Sequence, residues 1–76
     1  MAEITVAVET VPEGREAVLV TWLFENGAIV SAGEPVAEIM LEKATIEIVA
    51  PQSGRLRHRK NAEDVVMAGD ILAIVD

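Results

Sequence analysis

Apolar positions along this chain alternate far more often than they recur at helical spacing. Ile4, Val6 and Val8 alternate with Thr5 and Ala7, the period of a half-buried strand. Pro12-Glu13-Gly14 signals a turn. Ala17 to Phe24, rich in β-branched and aromatic residues, reads as a second strand, broken by Asn26-Gly27. Ile29-Val30 is a short apolar patch and Ala32-Gly33-Glu34-Pro35 another turn. Val36 to Ala50 is the longest β-like stretch and ends at Pro51, Ser53 and Gly54. Arg55 to Arg59 alternates arginines around Leu56 and His58, and Val65-Val66 and Ile71 to Val75 close the chain. No useful length of helical period occurs. Many short strands with frequent turn signals predict an all-β fold, a sandwich or flattened barrel.

The chain also repeats itself. At one constant spacing Val30 meets Val66, Ala32 meets Ala68, Gly33 meets Gly69, Glu34 meets Asp70, Ala37 meets Ala73 and Ile39 meets Val75. A second register matches Ile46 with Ile4, Ile48 with Val6 and Ala50 with Val8. Two copies are too few for an open solenoid. Two halves facing each other across a pseudo-twofold axis bury both apolar faces. In that arrangement Glu42-Lys43 is the hairpin tip of the first half. The matching place in the second half falls where the chain ends, so the termini are expected close together and far from Lys43.

Register decides the hairpin. With Glu42-Lys43 as a two-residue turn, Leu41 faces Ala44, Ile39 faces Ile46 and Ala37 faces Ile48, all apolar and all on one face. The other face pairs Met40 with Thr45 and Glu38 with Glu47, a like-charge pair that must meet water. A one-residue slip would send the glutamates into the core. Glu-Lys is not the Asn-Gly that such turns favour, so the pairing and not the turn chemistry puts Lys43 at the apex. A lysine on a turn is ordinarily just a solvated side chain. It is also the exposed, rigidly held amine that an acylating enzyme needs.

Composition narrows the functions. The 76 residues are read as one domain, 1–76, near the lower limit for a self-sufficient core and too small for a large buried catalytic cleft. There is no cysteine and His58 is the one histidine, which excludes a disulfide scaffold, a cysteine nucleophile and a histidine metal cluster. The net charge is −7, with Lys43, Lys60, Arg15, Arg55, Arg57 and Arg59 the only cations. Such a chain is a poor ligand for nucleic acid and for anionic membranes. The start Met-Ala-Glu-Ile-Thr-Val has no basic n-region, and no window approaches a membrane span, so the expected compartment is the cytosol.

The stretch Glu38-Ile-Met-Leu-Glu-Lys-Ala-Thr-Ile-Glu-Ile-Val-Ala-Pro-Gln-Ser-Gly54 resembles the core of the biotinyl/lipoyl attachment domains. Lipoyl domains of the acyltransferase (E2) components of 2-oxo acid dehydrogenase complexes carry an acidic residue, lysine and alanine in this turn, then an alternating strand and Ala-Pro-x-x-Gly. Glu42-Lys43-Ala44 and Ala50-Pro51…Gly54 match. Trp22, Gly27, Val30 and Gly33-Glu34 resemble further family positions, so the likeness spans essentially the whole chain. The resemblance implies a flattened barrel of two four-stranded sheets and a lipoyl amide on Lys43, with Glu42 and Ala44 as flanking recognition residues. It implies a carrier with no catalytic residues of its own. Its partners would be a lipoate ligase or lipoyl transferase, a thiamine-diphosphate decarboxylase, an acyltransferase and dihydrolipoyl dehydrogenase.

Two other readings stand beside it: a biotin carrier for a carboxylase, and an unmodified interaction module on the same scaffold. Biotin carriers have Met on both sides of the lysine, where this chain has Glu42 and Ala44. Met40 and Leu41 depart from the acidic and hydroxylated residues usual in lipoyl domains. No glycine occurs near Ala62-Glu63, and Arg59 is matched with Trp22 of the first half, so Arg55 to Asp64 is expected to be irregular or differently packed. Its cations either dock an acidic partner or guard a solvated edge strand, the latter being the favoured reading. Trp22 is expected in packing, His58 in a structural role, and the loop Glu9 to Arg15, by resemblance, beside the modified lysine. With no acyltransferase domain and no subunit-binding helix pair, the chain is a free-standing carrier or an excised fragment. The immediate entry into a strand leans toward the former.

Overall fold

The alternation along the chain becomes eight strands and no helix in the computed structural model, which describes residues 1–76. They are β1 (Ala2–Thr5), β2 (Ala17–Trp22), β3 (Ile29–Val30), β4 (Pro35–Leu41), β5 (Ala44–Val49), β6 (Gly54–His58), β7 (Val65–Val66) and β8 (Ile71–Val75). Two four-stranded antiparallel sheets form, in the orders β1-β8-β6-β3 and β5-β4-β2-β7. One apolar cluster lies between them, in which Leu19, Ile39, Leu56 and Leu72 are the largest fully buried side chains. No charged or polar residue is buried, so each carboxylate keeps access to water.

The two halves repeat bond for bond at the turns before β4 and β8. Gly33 N–H donates to Ala50 O at 2.8 Å and Gly69 N–H to Val6 O at 2.8 Å. Ser31 N–H donates to the Glu34 carboxylate at 2.7 Å and Met67 N–H to that of Asp70 at 2.9 Å. Ala2 pairs with Val75, so the termini meet on adjacent strands, in the sheet that does not carry Lys43.

Three expectations are corrected. The β4–β5 partner of Ile48 is Ala37, and the equivalent β8–β1 partner of Ala73 is Ile4. Ile48 therefore corresponds to Ile4 and Ala50 to Val6, two residues from the expected match. A two-residue shift keeps every side chain on its face, so the apolar pattern alone does not distinguish the registers. The first strand accordingly stops at Thr5. Val8 sits exposed in a turn, and Val11, in the loop beyond, is fully buried.

The second correction concerns Trp22. Trp22 pairs with Ala37 and His58 with Ala73, so Trp22 corresponds to His58 and not to Arg59, at the spacing of the rest of the repeat. The bulge between Leu19 and Thr21 displaces only the residues before it, where Leu19 corresponds to Leu56. The two rings stack at 3.7 Å between centroids and 10° between planes. Trp22 Nε1–H donates to Lys60 O at 3.0 Å, and His58 Nε2–H donates to Phe24 O at 3.0 Å, so each ring caps the chain beyond the other.

Third, Arg55 to His58 is neither irregular nor an edge. It forms β6, held between β8 and β3, with Leu56 completely buried and the arginines on the outer face. Irregular backbone is confined to residues 59–64. There Glu63, at φ +77°, holds the left-handed place that Gly27, at φ +94°, holds in the first half.

Gly54 has φ +153°, and a Cβ there would run into the backbone carbonyl of Asp76 and the Val75 side chain. Gly54→Ala is expected to cost about 2–4 kcal/mol, read by denaturant unfolding. Burial lowers the pKa of His58 below 6.5, the Phe24 hydrogen bond opposing only in part. The unfolded chain therefore binds this proton more readily. The neutral ring's contribution is complete above about pH 6.5 and is lost as pH falls through the lowered value. His58→Phe, which keeps a stacked ring, should reduce the fall in thermal midpoint between pH 7.5 and pH 5.

Candidate functional site

The β4–β5 hairpin has the register its apolar pattern demands. Leu41 pairs with Ala44, Met40 with Thr45, Ile39 with Ile46, Glu38 with Glu47 and Ala37 with Ile48. Ala37 and Ile39 are completely buried, and Leu41, Ile46 and Ile48 pack against the core. The glutamates stand on the opposite face. Glu42 and Lys43 form the two-residue turn, with φ +57° at Glu42 alone. A left-handed residue at the first turn position only is the pattern of a type II′ turn, whose twist suits a hairpin. Glycine is the usual occupant. Glutamate is held there by the register of the strands below it.

Lys43 is exposed and takes part in no ion pair, although 13 acidic residues are available. Its neighbour Glu42 is already engaged by the Arg15 guanidinium. This contact brings the end of the β1–β2 loop against the turn, as expected for Glu9 to Arg15. Buried Val11 anchors the loop from within, and Arg15 N–H donates back to Pro12 O at 3.1 Å. Ala44, on the other side of Lys43, adds only a methyl group. The amine therefore projects from a rigid base with no counter-ion to displace.

The remaining candidates lie elsewhere. Arg55 donates to Gly27 O at 2.8 Å and Arg57 pairs with Asp76, both on the opposite sheet. Arg59 and Lys60 line a shallow cleft of about 520 Å³ together with Glu3 and Asp70, a surface of mixed sign and not a basic patch. No cluster of His, Asp and Glu is arranged to hold a metal ion. A prosthetic group at the tip would have to be covalent, since Lys43 lines neither cleft of the molecule. The free amine on a two-residue turn fits that requirement. The Arg15–Glu42 pair left no trace in the sequence, because an ion pair across 27 residues has no local pattern. Both its side chains are largely exposed, so Arg15→Ala should change stability by less than about 1 kcal/mol, measured by thermal unfolding.

The chain is similar to known proteins. The biotin/lipoyl family, described as biotin-requiring enzyme, matches residues 5–75. The solution structure of the lipoyl domain of the 2-oxoglutarate dehydrogenase complex from Azotobacter vinelandii superposes with a TM-score of 0.75 at 27% identity. The match covers 96% of this chain and 95% of that one. Acetyl-CoA carboxylase of Saccharomyces cerevisiae is 37% identical over 57 residues, 75% of this chain. The chain spans 3% of the length of that curated relative. Two four-stranded sheets, an exposed hairpin lysine and a family match over nearly the whole length agree: the chain belongs to the biotin/lipoyl attachment family of carrier domains.

Proposed function

We propose that the chain is a lipoyl carrier, with the lipoyl group joined by an amide to Lys43. The observation that carries this is the turn itself, Glu42-Lys43-Ala44, on a scaffold that matches a lipoyl domain over 95% of its length. Biotin carriers flank their lysine with methionines, and this turn has none. In forming the amide, the neutral Lys43 amine attacks the activated carboxyl carbon of lipoate. The C–N bond forms, the activating group leaves with its electron pair, and the amine's proton passes to solvent. The dithiolane supplies the redox and acyl-accepting chemistry once bound.

The chain's own residues position the arm. Ala37, Ile39 and Leu41 fix the base of the hairpin, and the Arg15–Glu42 pair holds the neighbouring carboxylate aside. Tethering replaces diffusion by an effective concentration on the order of millimolar at each partner site. The partners in this reading are a lipoate ligase or lipoyl transferase, a thiamine-diphosphate decarboxylase, an acyltransferase and dihydrolipoyl dehydrogenase, in the cytosol.

The 37% identity to acetyl-CoA carboxylase favours a second reading, a biotin carrier for a carboxylase. Intact-mass measurement after co-expression with a lipoate ligase or with a biotin ligase separates the two. One lipoyl-sized increment is expected, absent in Lys43→Ala. A biotin-sized increment alone transfers the assignment to biotin. No increment with either ligase would leave an unmodified interaction module.

A further inference from the structure

The sheet that carries Lys43 exposes a continuous apolar row on its outer face. Val65 pairs with Val18, and Val18 with Met40, so the three side chains lie side by side across β7, β2 and β4. They are 53%, 40% and 39% exposed. The row sits just below the turn, because the Met40–Thr45 pair is the next one after Leu41–Ala44. At about 3.3 Å per residue it lies some 7 Å from the tip. Acidic groups border it below, where Glu38 and Glu47 form the outward-facing pair; above it the Glu42 carboxylate of the turn is paired with Arg15.

The fold does not require apolar residues there. On the other sheet the equivalent row is Ile29, Arg55 and the terminal Asp76, two of the three charged, with Asp76 tied to Arg57. Strand propensity accounts for valine but not for Met40, which is not β-branched and is suited to adaptable contact. A second copy of the chain is a poor occupant, since it would bring Glu38 and Glu47 against their equivalents on a molecule of net charge −7. The complementary surface is apolar along its centre with cations on the side that meets Glu38 and Glu47.

Resting on the carrier reading above, we propose that Val65, Val18 and Met40 form the docking strip for the ligase that acylates Lys43. Reach selects this occupant. An unmodified lysine extends only four methylenes from the backbone, so the enzyme that forms the amide must come down onto the turn and the rung beneath it. A partner that meets the finished arm can act at its far end without touching the rung.

The test uses the purified unmodified chain, with lipoate ligase, ATP and lipoate in one series and biotin ligase, ATP and biotin in the other. The modification rate is followed by intact mass at subsaturating carrier. Val18→Thr/Met40→Gln/Val65→Thr keeps shape and strand propensity while removing the apolar surface. Its kcat/KM is expected to fall by about tenfold or more. Ile29→Thr, at the equivalent rung of the other sheet, should match the parent chain. A triple variant modified as fast as the parent overturns the docking strip, as does an equal loss in Ile29→Thr. A parent chain modified by neither ligase overturns the carrier reading and the strip with it. Far-UV circular dichroism checks the fold. Should the triple variant be unfolded, Met40→Gln alone is compared: a loss of about threefold supports the strip and parity with the parent overturns it.

Discussion

A 76-residue chain with no disulfide has to find its core between two halves too small to bury their apolar faces alone. Everything else in the structure follows from how those faces are brought together. Leu19 and Ile39 of one sheet oppose Leu56 and Leu72 of the other, and all are completely shielded. The same turn, with the same backbone bonds, feeds both β4 and β8, so one solution to the packing problem is used twice. Trp22 and His58 close the arrangement by each donating to the chain beyond its partner's ring. A pseudo-twofold core therefore leaves little of the backbone free to move, and the hairpin that crosses it inherits that rigidity.

How much of this could be read in advance depended on whether an error would have carried an energetic penalty visible in one segment. The β4–β5 register was legible because a slip of one residue would have buried Glu38 and Glu47. All the pairs from Leu41–Ala44 to Ala37–Ile48 are found as the pattern requires. The match of β5 with β1 was not legible, because shifting by two residues changes no side chain's face. Trp22 and His58 lie at the same spacing as Val30 and Val66, so that match was legible; the bulge at Val20 hid instead the match of Leu19 with Leu56, which falls one residue off that spacing. The arginines of β6 suggested an edge, yet Leu56 fills the core from its inward face while β3 and β8 supply its backbone partners. Contacts between distant segments, such as Arg15 with Glu42, have no signature in a single sequence.

Two non-glycine residues take positive φ, Glu42 at the tip and Glu63 before β7. Each costs on the order of 1 kcal/mol relative to glycine. At Glu63 the cost secures the backbone bonds to Leu19, which tie the loop to β2. At Glu42 the same conformation makes a two-residue turn possible, and with it an apex on which Lys43 has no alternative contact. A longer, looser loop would avoid the strain and would also let the amine fold back onto one of the many carboxylates.

The symmetry of the fold makes its departures informative. The backbone treats β4 and β8 alike, but β4 passes through the Glu42-Lys43 turn into β5, whereas the strand equivalent to β5 is β1, which precedes β8 by most of the chain. The outer rungs differ in the same sense: Arg55 and Asp76 occupy on one sheet the places of Val18 and Met40 on the other. Packing accounts for what the halves share, since both must fill the same core. It does not account for an exposed methionine and two exposed valines where the equivalent positions of an acidic chain are largely charged. Selection for solubility would remove them. The asymmetry is concentrated on the sheet whose turn holds the free lysine, where a partner shaping both the tip and the rung below it would place it.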